Sequence, residues 1–377
     1  MKIAFVGDYM LSGDRAGKPI VVSPWLNKEL EKFDFRVATL ETALGEYEDI
    51  DSVKNAKGEV AVWSKYCDLS KLKALNVNAV SLANNHSCDC GVESMLQMME
   101  QLNANGVKAI GAGKNHKEAM QPAVFEKNGE TIAIIGCCKD DSYALGTLLF
   151  ATETQGGLYR LDEQVIVPQI KELKRQYDYV AVIVHWGVEH MWVPENNDVA
   201  VAKKMIDAGA DMIIGGHPHH IQPMVIYKKR PIYYSLGNFH FPDFCLDKLS
   251  NTYYPNEEEF KNLPSFTWMY PEKRNFPMHY FWKYYGRLGM ISEVNLSKGK
   301  VSAHKCFSIY KNGHLGKSKC SIFHGITLSV FSAFVGNKYS DKINYAMWKL
   351  RSVFENRVLS VFSKKYAFFK YLNSHNY

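Results

Sequence analysis

An α/β fold with a mostly parallel sheet, covered by helices on both faces, is predicted by three observations. Short apolar runs alternate with helical patterns over the first 240 residues, the signature of βα units. The 377 residues are 46% apolar and 22% charged, a balance that excludes wholesale disorder and collagen-like repeats. No apolar run reaches the roughly 18 residues of a membrane-spanning helix. The longest, Ile326 to Val335, is interrupted by Thr327, Ser329 and Ser332.

The elements follow in order. Candidate strands are Lys2–Val6, Arg36–Leu40, Ala79–Ala83, Thr131–Gly136, Tyr179–Val184, Asp211–Ile214 and Ile232–Leu236. Each is a short run rich in Val, Ile, Ala or Tyr, bounded by Gly, Asn or polar residues. One helix starts at Ser23-Pro24, a cap followed by a proline at the first helical position. A second runs from Val92 to Leu102, with Val92, Met95, Met99 and Leu102 on one face. A third covers about 162–175. A fourth follows Asn197, with Val201, Met205 and Ala208 on a stripe. Methionines at this spacing read as core rather than as a soft metal site. The first strand opens the chain with no leader-like stretch before it, so a cytoplasmic protein is expected.

From Phe241 to Tyr285 the texture becomes dense in Phe, Tyr, Trp and Pro without a period, which reads as a functional insertion or lid. Gly289–Leu296 and Lys300–Phe307 then form a hairpin around Ser297-Lys298-Gly299. The main domain is expected over 1–312 and a basic, aromatic, helical extension over 313–377, with helical spacing in Tyr345, Trp348, Ser352 and Glu355–Leu359. Residues 317–377 hold ten Lys/Arg against two acids, net +8, so the remainder of this +6 chain carries −2. The body therefore shows no basic footprint for nucleic acid. The extension either packs its aromatic face on the main domain or meets an anionic membrane surface at the inner face, or a partner enzyme; Lys364, Lys365 and Lys370 between Tyr366, Phe368 and Phe369 motivate the second reading. The eight cysteines lack zinc-type spacing, and free buried thiols are expected, Cys88 and Cys90 among them.

Five predicted strands end in residues able to bind metal: Gly7-Asp8, Leu40-Glu41, Asn84-Asn85-His86, His185-Trp186-Gly187 and Gly215-Gly216-His217-Pro218-His219. Open α/β sheets bind ligands outside the carboxyl ends of their strands, so all five groups converge on one edge. Pro218 marks the break of the strand there. Two carboxylates, an amide oxygen and three imidazoles offer mixed oxygen and nitrogen ligation to Mn²⁺, Fe, Zn²⁺ or Mg²⁺. A shared carboxylate can hold two such ions, which activate water and clamp a tetrahedral transition state. Each residue also has a plain structural reading. Asp8 could close a turn, Asn84 and Asn85 could tolerate a tight one, and Asp89 could cap the helix before Val92. His190 and His220 could be packed imidazoles, and Trp186 reads as packing.

At this point the sequence resembles a family. Gly-Asp-x-Met-Leu at 7–11, Leu-Glu at 40–41 and Ala-Asn-Asn-His at 83–86 with Asp89 and Gly91 carry the likeness. So do His-Trp-Gly at 185–187, Gly-x-His-Pro-His at 215–219 and Ser-Leu-Gly-Asn-Phe at 235–239. Gly111-Ala-Gly113 and Asp207 to Asp211 fit the same pattern. Over about residues 1–310 these motifs are similar to the CapA-type capsule and poly-γ-glutamate synthesis family, within the calcineurin-like metallophosphoesterases. The resemblance implies a four-layer α/β/β/α sandwich rather than one parallel sheet. It implies that Asp8 and His219 hold a first metal, that Glu41 bridges, and that Asn85, His185 and His217 complete a second. His86 would stay off the metals and stabilise the transition state or protonate the leaving oxygen, oriented by Asp89. Asn238 would line the substrate edge and Arg15 would take an anionic group.

The sequence departs from the wider superfamily at two places. Met10 stands where a histidine ligand is usual, a feature the CapA family shares. Ser87 stands where an acid usually follows the Asn-His pair. The function implied is a metal-dependent hydrolase of surface-polymer synthesis, acting on an anionic polymer or phosphoester beside polymer-synthesis enzymes. Two other readings stay open: a non-catalytic polymer-binding or scaffold module, and a general phosphodiesterase.

Overall fold

The computed structural model describes residues 1–45, 61–140, 148–246, 284–311, 313–318 and 321–337, with short pieces at 252–253, 278–280, 282, 340, 342–344 and 346–347. In chain order its main elements are β1 (Lys2–Tyr9), β2 (Val21–Val22), α1 (Pro24–Leu30), β3 (Phe35–Leu40), β4 (Ala79–Ser81), α2 (Gly91–Ala104), β5 (Lys108–Ile110), β6 (Ala123–Lys127) and β7 (Glu130–Cys138). There follow α3 (Glu163–Gln176), β8 (Tyr179–His185), α4 (Asn196–Ala208), β9 (Met212–Gly216), β10 (Met224–Tyr227), β11 (Arg230–Tyr233) and β12 (Asn238–His240). The hairpin β13 (Leu288–Ser297) and β14 (Lys300–Lys311), then β15 (His314–Lys317) and α5 (Ser321–Ser332), complete the set.

The strands form two sheets, not one. The first runs β2-β15-β14-β13-β1-β3-β4-β5, with β12 also paired to β1. The second runs β10-β11-β9-β8-β7-β6. Their facing sides make one core: Ile3, Phe5 and Val37 from the first sheet meet Ile134, Ile183 and Ile214 from the second. Alternate residues point the other way. Ala4, Val6 and Ala38 pack under Leu26, Met95 and Leu102 of α1 and α2. Ile135, Val182 and Ile213 pack under Ile166, Ile170 and Met205 of α3 and α4. The result is the four-layer α/β/β/α sandwich. The pattern of apolar runs alone suggests a single parallel sheet, because a strand buried on both faces is apolar throughout whether its second cover is a helix or another sheet.

Local chemistry sets the helix ends. Ser23 Oγ accepts from Leu26 N at 3.3 Å with Pro24 in the first turn. Asp162 caps α3 by accepting from Gln164 N at 2.8 Å. The α4 helix stops at Gly209, whose φ of 118° is left-handed.

Several expected strands end elsewhere. The first strand runs on to Tyr9, and Arg230–Tyr233 starts two residues and ends three residues earlier than the expected Ile232–Leu236. The short strands β5, β6 and β10 carry too little periodicity to be read in advance. The 312/313 boundary falls inside the first sheet, since β15 pairs with β14 through Tyr310–Leu315 and its neighbours. Beyond it α5 packs on the main domain: Phe331 joins Trp192 and Val193, with Phe334, Ile343 and Met347 alongside. Most of the aromatic insertion, 247–251 and 254–277, lies outside the described residues, as does 348–377 with Lys364, Lys365 and Lys370. The insertion's ends pair, Phe244–Leu246 against Met278–Tyr280. Cys88, Cys90, Cys137 and Cys138 are buried, and Cys306 is half-buried. Among the described residues no helix is long and apolar enough to cross a membrane.

Candidate metal centre at the sandwich edge

The carboxyl ends of both sheets meet at one edge. Asp8 follows Gly7, where any Cβ would lie 1.8 Å from the Gly237 carbonyl. Only glycine lets β1 lie this close to the turn before β12, and Asp8 N then donates to Gly237 O at 3.0 Å. Glu41 leaves β3 with its N–H on the Tyr9 carbonyl, 2.9 Å away, which fixes it beside Asp8. Asn84 staples the next turn. Its Nδ2 donates to Leu40 O at 2.8 Å and its Oδ1 accepts from His86 N at 3.0 Å. From the second sheet, register pairs His185 with Gly216. The chain then turns through His217 (φ 95°) and His219 (φ 52°), left-handed backbone that ordinary residues avoid. His217 N crosses to the first sheet and donates to Asp8 Oδ2 at 3.1 Å. At Gly216 a Cβ would meet Asp8 Oδ1 at 2.5 Å.

Two ligand-sized groups result, sharing one residue: Asp8, Glu41 and His219, and Glu41, His185 and His217. Within each, the ligand atoms lie within 4.8 Å of one another. Glu41 Oε1 is 3.5 Å from His219 Nε2 and 3.7 Å from His185 Nε2. His217 Nδ1 lies 3.2 Å from His185 Nε2, and Asn85 Oδ1 lies 2.8 Å from that same nitrogen.

Burial dominates the electrostatics. It lifts Asp8 from 3.8 to about 7, against the opposing pull of the His217 N–H. It lifts Glu41 well above its ordinary range, helped by the charges of Asp8, Glu189 and Asp89. It drives His217 down to about 3 and His219 down to about 4, and holds His185 well below its usual value. Both Glu41 oxygens, Asp8 Oδ1 and His185 Nδ1 are buried without a hydrogen-bond partner. A buried carboxylate with neither oxygen bonded is costly unless a cation takes it up. Mixed carboxylate, amide and imidazole donors suit a divalent transition ion. The residues present therefore fit metal.

The other expected site residues have distinct placements. His86 Nδ1 is 2.7 Å from Asp89 Oδ2, and that oxygen also accepts from Val62 N at 2.7 Å. His86 lies close enough to the three clustered imidazoles to oppose their protonation. Asn238 donates from Nδ2 to Gly286 O at 2.8 Å, which leaves its Oδ1 facing His219 Nδ1, also 2.8 Å away. That arrangement puts the His219 proton on Nδ1 and the lone pair on Nε2, toward Glu41. Arg15 is not brought to the cluster. Its Nη2 reaches the Pro19 carbonyl at 3.4 Å and its guanidinium lies under Gly313. Met10 is fully buried and tied by backbone to His240, whose N–H side of the ring faces the Met10 carbonyl at 2.8 Å.

The motifs give no role to Glu189, although it is an acid on the loop just past His185. Burial raises its carboxyl to about 7, and its charge reaches Glu41. Its Oε2 lies 3.9 Å from His190 Nε2, and the His190 ring sits 6.4 Å from that of His219. Trp282 closes the same side, 5.1 Å from the His219 ring. It is held by Asp243 and Arg287: Trp282 N donates to Asp243 Oδ1 at 2.8 Å, and Arg287 Nη2 bonds both Asp243 oxygens.

Sandwich and edge together define the class, a four-layer α/β/β/α fold with a carboxylate–imidazole cluster at its edge. Within it, the chain belongs to the bacterial capsule synthesis protein PGA_cap family, whose profile matches residues 2–243. It is 33% identical over 189 residues to the PGA biosynthesis protein CapA of Bacillus subtilis, covering 50% of this chain and 49% of that protein. It is 31% identical over 255 residues to the capsule biosynthesis protein CapA of Bacillus anthracis, covering 64% and 60%. The chain thus spans about half the length of these curated relatives. A 5'-nucleotidase of Vibrio parahaemolyticus is 25% identical over 155 residues, 40% of this chain and 27% of that protein.

Proposed function

We propose that this chain is a metal-dependent hydrolase acting in the synthesis or processing of a capsule, poly-γ-glutamate or a related surface polymer. The observation that carries the reading is Glu41, a buried carboxylate without a hydrogen bond, shared by two ligand groups. Asp8, Glu41 and His219 would hold one ion; Glu41, Asn85, His185 and His217 would hold the other. Divalent ions so bound make water nucleophilic near neutral pH and stabilise charge on a phosphoryl or carbonyl oxygen. His86 works beside them. Asp89 accepts from its Nδ1–H, which fixes the ring and leaves Nε2 to stabilise the transition state or hand a proton to the leaving oxygen. The match to a 5'-nucleotidase supports hydrolysis at a phosphoester, and the PGA_cap and CapA matches support the polymer context.

Metal stoichiometry tests this. The purified chain is equilibrated with Mn²⁺, freed of excess ion and assayed by mass spectrometry, beside His217→Ala and His219→Ala. The expected result is about two ions per chain, with a loss in each variant. Met10, a buried thioether where a ligand is usual, favours a second reading: a module that binds or scaffolds the polymer without turnover. Retention of no metal by a folded wild-type chain would favour that reading.

A further inference from the structure

We propose that the C-terminal extension is a working part of this centre, and that Asn344 is the positioning residue through which it acts. The inference rests on reading His217 and His219 as metal ligands. Asn344 is buried in a helical stretch of the extension, about a hundred residues past the end of the PGA_cap match. Its Oδ1 accepts from Trp192 N at 3.2 Å and from Val193 N at 3.0 Å, and its Nδ2 donates to Val193 O at 3.0 Å. One side chain therefore satisfies three backbone groups of the loop that leaves β8. Phe331 of α5 supports the same point, its ring 5.5 Å from that of Trp192.

The loop leads directly to the ligands. Two residues before Trp192, His190 donates its backbone N–H to Pro218 O at 2.7 Å. Pro218 is the residue between His217 and His219. His190 has a φ of 63°, a strained left-handed conformation that persists only where its surroundings impose it. Pro218 imposes it from one side. Gln222, which donates to Met191 O at 3.1 Å, belongs to that same side. The opposing hold comes from Asn344. Three left-handed histidines, 190, 217 and 219, are thus kept in register by contacts that begin 151 residues away in sequence. Glu189 lies on the braced loop, so its charge near Glu41 depends on the same hold.

The test uses the full-length chain with Mn²⁺ as the probe. Hydrogen exchange is followed over residues 187–193, and Mn²⁺ affinity and stoichiometry are measured by competition titration. Asn344→Ala should speed exchange in that segment and weaken Mn²⁺ binding about tenfold while the number of ions stays the same. Asn344→Asp, which keeps an acceptor for the Trp192 and Val193 N–H groups, should recover most of the affinity. Val330→Ser, on the exposed face of α5, should change neither readout. Should Asn344→Ala not fold, Phe331→Leu loosens the same clasp with less loss of packing and should shift both readouts in the same direction. Faster exchange with Mn²⁺ affinity held within about twofold would overturn the proposal, because a packing role alone loosens the loop without reaching the ligands. A wild-type chain that takes up no Mn²⁺ would instead overturn the metal reading on which the proposal stands, a distinct result.

Discussion

The two sheets furnish the edge with opposite chemistry. The first supplies acids, Asp8 in the last residues of β1 and Glu41 after β3; the second supplies imidazoles, His185 at the end of β8 and His217 and His219 after β9. The same burial acts on both and drives them apart in the acid–base sense, carboxyls upward and imidazoles downward. Without a cation, each half is pushed toward its neutral form by loss of water. A divalent ion between them opposes the shift of the carboxyls and reinforces that of the imidazoles, since it favours ionised carboxylates and neutral imidazoles. The contrast teaches that neither half is designed for stability by itself.

The largest break in that contrast is at the shared acid. Glu41→Ala removes the one residue common to both ligand groups. Its Mn²⁺ content should fall from about two ions per chain to below one, whereas removing His219 should spare the other group. Retention of both ions without Glu41 would deny its bridging role.

Asp8→Asn sharpens the contrast through stability. Folded Asp8 keeps its proton up to about pH 7, whereas the unfolded chain releases it near 3.8. The folded state therefore holds the extra proton in that window, and stability falls as pH rises through it, by an upper bound of roughly 4 kcal/mol. The depressed imidazoles act in the opposite sense, but they do so in both chains, so the difference between them isolates Asp8. In chelator, Asp8→Asn should melt higher than wild type at pH 8, with the advantage gone by about pH 4. Added Mn²⁺ should reverse the order. A metal-free variant less stable than wild type at pH 8 would contradict the desolvation account.

The same contrast explains what could be read in advance. Asp8, Glu41, Asn85, His86, His185, His217 and His219 each follow a short apolar run, and strand ends of an α/β sandwich converge by topology, so their gathering was legible residue by residue. The second sheet was not, because its strands are apolar on both faces and alternation with helices looks the same for one sheet as for two. Asn238 was placed by its motif and Arg15 by the family resemblance alone, and partners such as the Pro19 and Gly286 carbonyls leave no periodic trace. The clasp of Asn344 on Val193 joins segments whose relation appears only when the extension folds back on the sandwich.

The smallest effect lies within the imidazole half, where two ligands differ in how they are held. His219 Nδ1 is engaged by Asn238 Oδ1, and Asn238 is itself locked by Gly286. His185 Nδ1 has no such partner. His219 should therefore bind metal with its tautomer and ring already set, while His185 relies on the Asn85, Glu41 and His217 atoms around its Nε2. Asn238→Ala removes the lock without touching a ligand. Mn²⁺ affinity should fall about tenfold for one ion of the pair and stay near wild type for the other, the usual scale for losing a ligand's orienting partner. Asn238→Asp keeps an acceptor for Nδ1 and should recover most of the loss. Equal weakening of both ions would mean that Asn238 supports the edge as a whole. Unchanged affinity with a raised KM toward a phosphoester would return Asn238 to the substrate-lining role that its motif implies.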